Sequence, residues 1–164
     1  MLGKTTNPLL QKTEAATEAK VPPKYKGACQ RIVAAGLRVM YSEQTHDMMV
    51  KELQKPQDPS INIGEGVAKL MGILWSQGKG TLPMQAMIPA TTILMCEAID
   101  FAEKAGKFTA TPESVAAVTK ETMSDLMQLL GVTPQKIQQA KQSTQPAQPV
   151  NAKPGLIASQ MKGA

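Results

Sequence analysis

The sequence predicts an all-α protein, four to five helices in a small bundle with extended N- and C-terminal tails. Three observations predict it. Aromatic residues make up only 3% of a chain that is 42% apolar and holds eleven methionines, so the core must be aliphatic and thioether in character. Such residues favour helices, whereas strands are enriched in aromatic and β-branched side chains. Apolar residues also recur at three- and four-residue spacing through most of the chain, and no alternating run is long enough for a sheet. A length of 164 residues suffices for one core without disulfide or metal staples.

Residues 1–23 read as a flexible N-terminal tail. Within it, NPLLQKTEAATEA has the start signal of a short helix, with Asn7 as cap and Pro8 in the first turn, before Pro22 and Pro23 interrupt. A helical domain spans 24–142. Its first helix runs from Tyr25 to about Gln54, with Cys29, Ile32, Val33, Leu37 and Met40 on one stripe and a loosening around Tyr41 and Ser42. KPQDPS ends it. A second helix runs from about Ser60 to Gln77 on the stripe Ile63, Val67, Leu70, Met71 and Leu74, and GKGTLP breaks it. A third spans about Pro83 to Ala105, with Pro89 as a kink or a starting point and Gly106 as a left-handed exit. TATPES opens a fourth, capped by Thr111 and stopped by Gly131. Val132-Thr133-Pro134 repeats the start signal for a short fifth helix to about Lys141. Residues 143–164 form a flexible Pro/Gln-rich C-terminal tail without periodicity, closing on the apolar triplet Leu156-Ile157-Ala158.

Most of the net charge of +5 sits on the ends, and the body is near neutral. Residues 1–24 carry four lysines against two glutamates, and 143–164 carry Lys153 and Lys162 with no acid. Only Arg31 and Arg38 are arginines, and the few aromatics do not interleave with the lysines. Sequence-reading nucleic-acid sites use arginine forks and stacking aromatics, so no specific nucleic-acid partner is expected, only weak nonspecific contact by the lysine-bearing tails. Cys29 and Cys96 stand 67 positions apart outside any CxxC pair, and His46 is the single histidine. They read as spectator thiols in a reducing compartment. The opening MLGKTTNPLLQK lacks an export signal and has no glycine at position 2 for myristoylation.

The glycine-studded stretch from Gly64 to Gly80 admits three readings. A phosphate loop needs GxxxxGK followed by a hydroxyl residue, but Ile73 stands where the first glycine belongs and Gly80 where the hydroxyl does. A membrane span needs about twenty mostly apolar residues, and Glu65, Lys69 and Lys79 interrupt the run. What remains is Gly64, Ala68, Gly72 and Ser76 at four-residue spacing, a small-residue ridge that lets another backbone come close. Its partner is either a helix of the same chain or a neighbouring subunit. The methionines carry a parallel choice between core filler and an adaptable interface, with Met48, Met49, Met84 and Met87 flanked by polar residues. Glu97, Asp100 and Glu103 read as a solvated outer face, and His46-Asp47 as a solvent-facing pair. The pattern points to no catalytic residue, no cofactor and no metal ion.

The Lys/Pro/Gln-rich tails, the Met-rich centre MQAMIPATTILMCEAIDFAEKAG and the closing LLGVTPQKIQQA together resemble small helical virion structural proteins of tailed bacteriophages, over about residues 60–141. The resemblance implies a non-enzymatic assembly subunit around a portal, tail or capsid interior, ejected with the genome in some cases. It implies a virion location after synthesis in the cytoplasm, and copies of itself or other virion proteins as partners. No functional residue is carried over. From the residues themselves, Gly64, Ala68, Gly72 and Trp75 on the ridge helix, with Leu156 and Ile157 in the tail, are the expected interface positions. The alternative is a helical adaptor that binds a partner helix through a Met-rich groove.

Overall fold

A computed structural model describes residues 5–131 as six α-helices with no strand. They are α1 (Pro8–Lys20), α2 (Pro23–Met40), α3 (Glu43–Leu53), α4 (Pro59–Gln77), α5 (Met84–Lys104) and α6 (Pro112–Leu129). The all-α expectation holds. The expected fifth helix near 134–141 and the C-terminal tail lie outside the described residues.

α5 is the axis of the fold, since α1, α2, α4 and α6 all pack on it and thirteen of its 21 residues are buried. Met87, Ile93, Leu94, Met95 and Ile99 are wholly enclosed. Pro89 lies inside the helix just past its first turn, where it forgoes one ladder bond, to Gln85 O, without ending the helix. α2 comes close to α5 at Gly36, where an added Cβ would stand 2.5 Å from Leu94 Cδ1. The most extensive pairing is α4 with α6. Gly64 meets Glu121 and Thr122 while Gly72 meets Leu129, so the two helices run in the same direction.

Local signals set the boundaries. Thr111 and Ser114 form a reciprocal capping box at the start of α6. Asp58 caps α4 through Ser60 N, and Asn7 caps α1 through Leu9 N. α4 ends where Lys79 and Gly80 both adopt positive φ, and Gly106 and Gly131 give α5 and α6 left-handed exits. The expected loosening at Tyr41-Ser42 is a full break. Ser42 caps a new helix by accepting from Thr45 N, and its own hydroxyl donates to Val39 O at 3.0 Å.

Residues 8–20 correct the expectation of a flexible tail over 1–23. They form a helix docked on α5, with Leu10 fully buried and Val21 buried just beyond it. The helical body therefore starts at Pro8 rather than at residue 24. The reason is polar: the fully buried residues of α1 are Leu10 and Glu14, with Leu9 half-buried beside them, and a buried glutamate interrupts the apolar stripe.

Candidate docking groove

α3 is the least committed helix, with none of its eleven residues fully buried. It stands beside α4, resting on half-buried Met49 and Leu53, and a cleft opens between the two helices. The cleft has a cavity volume of about 110 Å³. Its floor is built by Met40, Ile63, Val67 and Leu70, with Ala98 and Phe101 of α5 behind them. Gly66 removes bulk from one wall, and an added Cβ there would meet nothing within 4 Å. Met48, 59% exposed, and Ile73, 45% exposed, stand at the opening.

Polar groups rim the cleft. Lys69 Nζ lies 3.5 Å from both Glu52 Oε1 and Glu65 Oε2, and Lys55 pairs with Glu52. The lysine partners, Lys55 foremost, hold the Glu52 carboxyl below its ordinary range despite some desolvation. Asn62 is 1% exposed, donates through Nδ2 to Lys55 O at 3.3 Å, and so ties the α3–α4 turn to α4. His46 stays exposed and packs edge-on against Phe101, ring centroids 5.4 Å apart.

The first half of the small-residue ridge faces inward. Gly64 and Ala68 are buried, and α6 occupies the space above Gly64, where a Cβ would lie 2.7 Å from Glu121 Cβ and 3.0 Å from Thr122 N. Gly72 faces Leu129 at 3.5 Å. At Gly64 and Ala68 the ridge is thus covered within the same chain, whereas Gly72 is half-buried and Ser76 is exposed. Trp75 is half-buried against the core, its ring 3.5 Å from the Cβ position of Gly80. Leu156 and Ile157 lie outside the described residues. Met48, Met49 and Ile73, which do surround an open cleft, were legible only as methionines among polar neighbours and as one apolar residue off the stripe. The methionines divide: Met40, Met71, Met87 and Met95 fill the core, while Met48, Met84 and Met127 are exposed.

The acidic face also needs correction. Glu97 is fully buried and Asp100 is 2% exposed. Tyr41, half exposed, donates its hydroxyl to Glu97 Oε2 at 2.9 Å. Asp100 Oδ1 accepts from Thr6 N and Thr6 Oγ1, both at 2.9 Å, and Lys104 pairs with its other oxygen at 2.5 Å. Glu103 accepts from Asn7 Nδ2 at 2.8 Å and from Ala110 N at 3.1 Å. Asp100 and Glu103 bind the start of α1 to α5, Glu97 ties the end of α2 to it, and His46 turns instead to Phe101. Among the described residues no group of three His, Cys, Asp or Glu is arranged to hold a metal ion, and no helix is long and apolar enough to cross a membrane. No protein family, curated protein or solved structure matches the chain.

Proposed function

We propose that the protein is a non-catalytic assembly subunit whose α3–α4 cleft seats a side chain from a second copy of the same chain. One observation carries this reading: a hole and two knobs lie on one patch, the cleft of about 110 Å³ with exposed Met48 and Ile73 beside it. A contact about a two-fold axis needs both shapes on the same surface, because each copy offers its knob to the other's hole. The volume suits a side chain better than a cofactor, whose sites span roughly 300–1,000 Å³. Methionine tolerates imperfect fit, and the Lys69–Glu52–Glu65 rim supplies the polar border common to such contacts. In the setting implied by the resemblance to phage virion proteins, such contacts build part of a particle, with other virion proteins as further partners. A second reading, an adaptor that takes a helix from a different protein, draws on the same methionine lining.

Light scattering of the purified chain across a concentration series tests the proposal. The expected result is a dimer whose population rises with concentration and which Ile73→Lys abolishes, with helix content unchanged because Ile73 already faces solvent. A wild-type chain that stays monomeric at its highest soluble concentration overturns the homotypic reading and leaves the adaptor. So does a dimer that Ile73→Lys leaves intact, because its contact then lies elsewhere.

A further inference from the structure

α1 is held to the rest of the fold chiefly through α5. Within the helix only Leu10 and Glu14 are buried, so half of its inward face is a carboxyl group. Glu14 is 1% exposed, its Oε1 has no hydrogen-bond partner among the described residues, and the buried Thr5 hydroxyl beside it only partly offsets the cost of its charge. The charged groups acting most strongly on it are all acidic: Glu97 and Asp100 from α5, and Glu18 from α1 itself. The Cys96 thiol of α5 and the Tyr41 phenol at the end of α2 also feel its charge, and Cys29 of α2 feels that of Glu18. Lys104, the cation beside Asp100, is engaged with that carboxylate at 2.5 Å. A helix is thus seated on a buried acid opposite other acids, an arrangement that suits a neutral carboxyl and opposes an ionised one.

We propose that Glu14 is a proton-operated latch for α1: protonated, it lets the helix lie on α5, and ionised, it drives the helix off that acidic face and uncovers it. The latch is independent of the α3–α4 cleft. Thr6 and Asn7, tied to Asp100 and Glu103, keep the start of the helix tethered while its body lifts.

The direction follows from where the proton binds more tightly. Burial first, and then the negative charge of Glu97, raise the docked Glu14 carboxyl from 4.5 to about 7. Docking is therefore fully supported below 4.5, weakens as pH rises from there, and levels off above about 7. Asp100 has the opposite sign. Burial pushes it up, but Lys104 and the two Thr6 donors together outweigh burial and hold it below its ordinary range. Its contribution is kept at neutral pH and lost only on acidification, so a loss of docking towards alkaline pH belongs to Glu14.

Hydrogen exchange of the full chain, followed by mass spectrometry from pH 4 to 8.5 and corrected for intrinsic rates, reads the latch directly. In the wild type, protection of residues 8–20 is expected to fall by about tenfold per pH unit between 4.5 and about 7, then level, while α5 segments hidden from α1 stay protected. In Glu14→Gln the profile of residues 8–20 is expected to be flat. Glu97→Gln, which keeps an acceptor for Tyr41 and removes the opposing charge, is expected to narrow the window from its upper end. Protection that is flat in the wild type overturns the proposal, as does a pH-dependent loss that persists in Glu14→Gln. Should Glu14→Gln fail to fold by circular dichroism, a Glu97→Gln profile superimposable on the wild type overturns it as well.

Discussion

At the residue scale, two glycines two positions apart on α4 have opposite reasons to be there. Gly64 sits where α6 leaves no room, with Glu121 Cβ at 2.7 Å and the Thr122 backbone at 3.0 Å from any added Cβ. Backbone cannot step aside as a flexible side-chain end can. Gly64→Ala is expected to destabilise the fold by about 1–3 kcal/mol through overpacking. Gly66 opens into the cleft with nothing within 4 Å. Gly66→Ala is expected to stabilise by roughly 0.5–1 kcal/mol, the helical cost of glycine removed without a clash. Urea unfolding of the two variants checks the pair, and equal effects at the two sites would contradict the parallel packing of α4 on α6.

At the element scale, α3 and α5 mark the two ends of the stability range. α3 has no fully buried residue and relies on its cap, where Ser42 accepts from Thr45 N and Thr45 Oγ1 donates back to Val39 O. Ser42→Ala is expected to cost about 1 kcal/mol. That loss should appear as faster amide exchange confined to residues 43–53, because few contacts spread it further. A uniform change across all six helices would show that α3 is not a separate opening unit. An easily opened helix beside the proposed docking cleft is also physically apt, since a wall that moves can adjust to what it receives.

At the scale of the whole molecule, α5 links four other helices into one core. Leu94, wholly buried, packs its δ-methyls directly over Gly36 of α2. Leu94→Ala should cost about 2–5 kcal/mol. Circular dichroism in denaturant should show that loss as one earlier transition for the whole body, because removing the axis leaves no helix pair able to stand alone. Two separated transitions would mean that the α4–α6 pair is stable without α5.

The sequence by itself determined the helical class and most helix ends, but not the full break between α2 and α3 or the docking of α1. Proline in the first turn, the Asn7 and Thr111 caps, and the exits at Gly106 and Gly131 act over a few residues, and local rules read them without knowing what lies opposite. The stripes Ile63, Val67, Leu70, Met71, Leu74 and Val115, Val118, Leu126 were legible for the same reason. Only the tertiary structure decided which neighbour each face meets. It turned Gly64 towards α6, left Met48 and Ile73 beside an open cleft, buried Glu14, and sank Glu97 and Asp100 into a seam that pattern alone assigns to solvent. A small residue packs equally well against its own chain or another. A buried carboxyl group needs donors, a counter-charge or a proton, and donors arrive from elements dozens of residues away, as Thr6 reaches Asp100 and Tyr41 reaches Glu97.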